Sequence, residues 1–190
     1  EKEFKKIESI KARISTSNYS KDYRPLQSTS NAQALGPGAR YEIDATIADI
    51  YLVSNSNPES IVGRPTIFFV IDVFSRLITG FYIGFESPSY LAAIQALNIA
   101  MIDKVQYCAE YGISIQPEDW PAVGLPDALL ADRGELLGYQ IEALEKTFAV
   151  RLENAPARRG DAKGIVEQAF NTYQAYFKKE GKGKGVVDGS

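Results

Sequence analysis

Residues 41–54 read YEIDATIADIYLVS, an apolar run with a two-residue period. Strand side chains alternate between faces, so Ile43, Ala45 and Ile47 share one side and Glu42, Asp44 and Thr46 the other. Asp49, an odd number of positions from Asp44, cannot share its face if the strand is continuous. Residues 66–74 are almost uniformly apolar, β-branched or aromatic, as in a central strand. Residues 77–85 alternate again, with Leu77, Thr79, Phe81, Ile83 and Phe85 on one side. A polar turn over 55–65 and the short Ser75-Arg76 link make these three strands an antiparallel meander. Asp72, near the end of the second strand, is expected to cap the following turn with Ser75, and metal ligation is its rival role.

Beyond the meander the period lengthens. Ser87-Pro88 opens a helix, with Ser as cap and Pro in the first turn; it is expected to reach Tyr111 and stop at Gly112. Residues 113–126 carry Pro117, Pro121 and Pro126 and form a loop around the single tryptophan, Trp120. A short strand over 127–132 delivers Asp132 at its C-terminal end, the edge at which ligands of open α/β sheets collect. An amphipathic helix over 136–148, a last strand over 149–155 and a helix over 161–180 bearing Glu167 complete the series. The class is α/β, with a mixed five-stranded sheet of three antiparallel strands followed by two parallel ones, flanked by helices.

At the front, Phe4, Ile7, Ile10 and Ile14 stand at helical spacing among charges, so 1–14 reads as the end of a preceding helical domain. Residues 15–40, rich in Ser, Asn, Gly and Pro, read as a linker. Its Lys21, Arg24 and Arg40 either track a phosphate backbone or keep the linker soluble. The core is expected over 41–180, with 181–190 (GKGKGVVDGS) a flexible exit to a further domain. A start at Glu1, without Met and inside a helix, is expected of a piece of a longer protein.

Composition narrows the chemistry. A chain of 190 residues, 45% hydrophobic, builds one good core. Its longest apolar stretch, 67–74, is too short to span a bilayer and is interrupted by Asp72, so no membrane association is expected. The lone cysteine, Cys108, excludes an internal disulfide and suits a reducing compartment, which makes the cytoplasm the expected location. The sequence has no histidine. That removes His-assisted nucleases, Ser-His-Asp hydrolysis and most zinc sites, and leaves carboxylates with hard cations. The net charge of -3 is unevenly spread: +4 over residues 1–40, -10 over 41–157 and +4 over 158–184. Such a chain either concentrates cations in its middle while its basic arms hold a polyanion, or carries ordinary solvated charge.

An ionised Asp inside a sheet is costly unless paired, hydrogen-bonded or bound to a metal. Asp44 therefore has two readings, a member of a hydrogen-bond network or a ligand. It precedes Asp132 by 88 positions, and Asp132 precedes Glu167 by 35. Acids on a first strand, at the end of a fourth and on the last helix resemble the ribonuclease H-like core of retroviral integrases and DDE transposases. The blocks YEIDATIADIYLV, GRPTIFFVIDVFSRLITGFYIGFESPSY, VGLPDALLADRGE and RRGDAKGIVEQAFNT more closely resemble TnsB-type transposases, which cut and join transposon 3' ends in Tn-seven-like elements. The resemblance covers about residues 22–180.

That resemblance implies Asp44, Asp132 and Glu167 as catalytic, metal-binding acids. Two ions about 3.5–4 Å apart clamp the attacking and leaving oxygens of an in-line phosphoryl displacement in such sites. Asp44 is expected to bridge both, with Asp132 and Glu167 holding one each; Mg²⁺ is the expected ion and Mn²⁺ its substitute. The same site is implied to hydrolyse the transposon end and then to join the freed 3'-OH to target DNA. Arg158, Arg159 and Lys163, just ahead of Glu167, are expected to contact DNA, and Arg133 either contacts DNA as well or braces Asp132. Asn171 and Gln174 stand where integrases carry lysines, and both amides are able to bond DNA, whereas Tyr173, Tyr176 and Phe177 are expected to pack the core. Implied partners are transposon-end and target DNA, an endonuclease for the 5' strands, a target-selecting ATPase and further copies of the chain on DNA. A ribonuclease H-like nuclease that only hydrolyses, and a silent DNA-binding descendant, are the alternatives.

Overall fold

The structure, a computed structural model, describes residues 34–131, 146, 149–154 and 164–188. In chain order these form β1 (Tyr41–Ile47), β2 (Ile50–Val53), β3 (Ile61–Gly63), β4 (Thr66–Asp72), β5 (Ile78–Gly84), α1 (Tyr90–Met101), α2 (Lys104–Glu110), β6 (Ala128–Ala131), β7 (Arg151–Asn154), α3 (Gly164–Gly181) and β8 (Val186–Asp188). The expectations for 1–33, most of 136–148, and 161–163 lie outside the described residues.

Five strands make the expected mixed sheet, in the order β5-β4-β1-β6-β7. The β5–β4 and β4–β1 pairs are antiparallel, and the β1–β6 and β6–β7 pairs are parallel. All seven residues of β4 are buried, which is what its unbroken apolar pattern requires of a strand covered on both faces. Alternation sorts the two cores. Tyr41, Ile43, Phe68 and Val70 pack under α1, against Ala92, Ala93, Ala96 and Ala100. Ile67, Phe69 and Ile71 pack under α3, against Ile165, Val166 and Phe170. The alanine face lets α1 approach closely: a Cβ on Gly80 would stand 2.2 Å from the Ala96 carbonyl oxygen.

The run expected as one strand over 41–54 is two strands in two sheets. β1 ends where its ladder with β4 ends, at Ile47 opposite Thr66. Pro65 has no N–H with which to continue that ladder. Instead its carbonyl accepts from Ala48 N–H at 2.7 Å, and Arg64 Nε donates to the Ala48 carbonyl at 2.8 Å. The chain then turns at Asp49 and enters a three-stranded sheet, β3-β2-β8. Its third member lies in the segment expected to be a flexible exit: Val186–Asp188 pairs antiparallel with β2.

The helix expected from Pro88 to Tyr111 is also two. It begins at Tyr90, two residues past Pro88, where the Ser89 side chain caps it by accepting from Ala92 N–H. It ends at Met101, followed by the extended Ile102, and Asp103 caps α2 by accepting from Gln106 N–H at 2.9 Å. The buried Lys104 turns back so that its Nζ donates to the carbonyls of Ala100 and Ile102, supplying partners that α1's last turn lacks. In the 113–126 loop, Trp120 donates to the Ile78 carbonyl at 2.6 Å and stacks on Phe81.

Candidate active site

Asp44 sits in the middle of β1, opposite Phe69 of β4. Its face is therefore the one that α3 covers, because Phe69 stacks on Phe170 at 5.0 Å and meets Tyr173 edge-on at 5.3 Å. Asp44 is half-buried, and its Oδ1 accepts from the Ala45 N–H at 3.0 Å. Two residues earlier on the same face, Glu42 is fully buried. The deeply buried acid of this strand is thus Glu42, while Asp44 keeps contact with solvent.

Glu167 is exposed on the first turn of α3, where a carboxylate also suits the helix dipole. Its neighbours Ile165, Val166 and Phe170 are buried against the sheet, so the helix that carries Glu167 lies on the face that carries Asp44. Asn171 follows one turn later and is also exposed; residues four apart share a helix face. Asp132, Arg133, Arg158, Arg159 and Lys163 lie outside the described residues. Among the described residues no three of His, Cys, Asp and Glu gather as a metal-binding group, and two of the three expected acids are among them.

Other expected residues have structural employment. Asp72 is buried and accepts from Gly38 N–H at 3.2 Å, from Ser75 N–H at 2.9 Å and from the Ser75 hydroxyl; it caps the turn, as anticipated. Arg40, one of the residues considered for a phosphate track, is buried and ion-paired to Glu153 at 2.6 Å. The Gln174 carbonyl accepts from Asp49 N–H at 2.9 Å, so this amide holds the fold together. Phe177 packs on the core as expected, Tyr173 meets Phe69 edge-on but is 39% exposed, and Tyr176 is 58% exposed.

One further cluster surrounds Asp49. Asp49 receives Lys178 Nζ at 2.6 Å on Oδ2 and Arg64 Nη2 at 3.1 Å on Oδ1, and Lys178 also reaches Asp188 at 3.0 Å. Hydrogen bonds to Asp49, then to Asp188, hold the Lys178 ammonium above its usual pKa range. The available signal was Asp49 itself, an acid off the Asp44 face inside an apolar run, which marks the end of a strand.

The family of TnsB C-terminal domains matches residues 42–183. The transposon Tn7 transposition protein TnsB of Escherichia coli is 59% identical over 190 residues, which is 100% of this chain and 27% of that protein. The transposase for transposon Tn552 of Staphylococcus aureus is 22% identical over 142 residues, 74% of this chain and again 27% of the relative. The chain thus spans about a quarter of the length of both. Among solved structures, a chain of the simian T-cell lymphotropic virus intasome in complex with PP2A regulatory subunit B56 gamma superposes with a TM-score of 0.50 at 14% identity. It covers 78% of this chain and 44% of its own. At that identity the likeness concerns the fold, which is ribonuclease H-like.

Proposed function

This chain belongs to the TnsB family of transposases, within the DDE transposase and integrase superfamily, and from that premise we propose that it is the catalytic core that cleaves transposon 3' ends and joins them to target DNA. The observation that carries the reading is the shared face of Asp44 and α3, because it sets an accessible carboxylate on the central strand beneath the helix that bears Glu167. Asp132 follows Ala131, the last residue of β6, and β6 runs parallel to β1 with Tyr41 beside Leu129 and Glu42 beside Leu130. The C-terminal end of β6 is the edge at which parallel sheets gather ligands.

The donor set suits Mg²⁺, which prefers carboxylate oxygens and keeps several waters: Asp44 is half-buried but reachable, and Glu167 is open to solvent. Asp44, Asp132 and Glu167 would hold the ions. Bound there, Mg²⁺ supplies charge neutralisation for the attacking and leaving oxygens of phosphoryl transfer. The protein's share is placement. β1, paired on both edges, fixes Asp44, while the α3 core of Ile165, Val166 and Phe170 holds the turn that carries Glu167 against the sheet. Asn171, exposed one turn beyond Glu167, is assigned to DNA, as are Arg133, Arg158, Arg159 and Lys163. Transposon-end DNA, target DNA, a 5'-strand endonuclease, a target-selecting ATPase and further copies of the chain are the partners this reading requires.

The test is strand transfer by the full-length protein with its partner proteins, using precut 3'-OH ends, a target plasmid and Mg²⁺. Glu167→Gln removes a ligand charge and nearly preserves shape. Joined product with wild type and none with the variant supports the reading. A variant that joins as well as wild type sinks the triad, and a wild type that only nicks makes the protein a nuclease.

A further inference from the structure

Glu167 stands at one end of α3, where the contacts of Ile165, Val166 and Phe170 with the sheet are apolar and carry no directional bond along the helix axis. The directional contacts lie farther along. Gln174 and Lys178, four residues apart and so on one face, both grip Asp49: the amide oxygen takes its backbone N–H, and the ammonium takes its carboxylate at 2.6 Å. Asp49 is itself oriented, since Arg64 holds its other oxygen and, through Nε, the carbonyl of Ala48. Lys178 completes the set by bonding Asp188 on β8 at 3.0 Å. Asp49 lies five residues beyond Asp44 on the same segment, so the helix bearing the third acid is latched to the chain bearing the first.

We propose that Lys178 is a positioning residue, whose grip on Asp49 and Asp188 sets the register of α3 and thereby the place of Glu167 relative to Asp44. The inference rests on the assignment of those two acids to catalysis. From Glu167 to Lys178 the helix advances about 16 Å at 1.5 Å per residue, so Lys178 acts through the helix. Solvent-exposed ion pairs contribute little to stability, so loss of this one is expected to leave the fold intact and misplace a carboxylate.

The experiment compares wild type, Lys178→Met, Lys178→Arg, Asp49→Asn and Glu167→Gln in the full-length protein with its partners. Single-turnover joining of precut ends is measured beside end-DNA affinity, melting temperature and amide exchange along α3. Lys178→Met and Asp49→Asn are expected to slow joining about tenfold or more, since sub-ångström misplacement is costly to reacting geometry. They should also speed amide exchange in the second half of α3, with end affinity and melting temperature close to wild type. Lys178→Arg, which keeps a donor for both carboxylates, should recover most of the rate. Joining at the wild-type rate by either folded variant overturns the proposal. So does a loss of joining that only follows a loss of end affinity, which would make Lys178 a phosphate contact, as would failure of Asp49→Asn to reproduce Lys178→Met. Glu167→Gln separates the two failures: if it joins normally, the catalytic assignment itself has fallen.

Discussion

Lys104 shows how one residue can be read wrongly as surface charge. It is 1% exposed, with its ammonium between two main-chain carbonyls and 5.3 Å from the centre of the Trp120 ring. Burial lowers its pKa to about 8, against the opposing pull of Asp103 and Cys108. Between about pH 8 and the unfolded value of 10.5 the unfolded chain therefore holds a proton that the folded chain has released. Stability rises with pH wherever the unfolded state binds more protons. The wild type is accordingly expected to gain stability relative to Lys104→Met as pH is raised through that window, and equal slopes in paired denaturant titrations would refute it. The same scale separates the acids: Asp72 is occupied by Gly38 and Ser75, whereas Asp44 and Glu167 both reach solvent.

Among the elements, α3 and β8 behave as a unit. The helix ends at Gly181, and a Cβ there would stand 2.6 Å from Cγ2 and 2.8 Å from Cβ of Val186. Val186 cannot retreat freely, because it is paired with Leu52 of β2 and packs in the α3 core. Gly181→Ala is expected to destabilise by about 1–3 kcal/mol, the usual range for overpacking, and to expose the β8 amides to faster hydrogen exchange. Unchanged exchange at Val186–Asp188 would show that the junction relaxes. Elements are also where the reading of the sequence went furthest and then stopped. β1, β5 and α3 were legible because their periods of two and near four persist over several residues, and β4 because its apolar run is unbroken. The breaks at Ala48–Asp49 and Ile102–Asp103 were not: the first depends on the remote Arg64 and Pro65, and the second on Lys104 folding back onto the carbonyls at the end of α1, which no periodicity reports.

For the molecule as a whole, charge separates two tasks. The middle of the chain is acidic, -10 over residues 41–157, while the flanking segments each carry +4. If acids hold the ions and basic segments hold DNA, each can be removed without the other. Chelation is expected to abolish joining while leaving end DNA bound in a gel-shift assay, and restored Mg²⁺ or Mn²⁺ to recover it. Raised salt should release the DNA, because phosphate contacts weaken steeply as counterions compete. End binding lost on chelation at constant salt would contradict this division. Among the described residues no helix is long and apolar enough to cross a membrane.

The sequence by itself determined the order of the main elements, the class of fold and the family. Those follow from local periodicity and from short motifs, which survive without any knowledge of what packs on what. It also placed Asp44 and Thr46 on one face, since alternation along a strand is a property of the backbone. Only the tertiary structure decided which helix covers that face, that Glu42 rather than Asp44 is the fully buried acid, and that Gln174 and Lys178 close on Asp49. Such contacts join residues more than a hundred positions apart. Their existence depends on the packing of α3 and β8 against the β1–β2 turn, and no local pattern encodes it.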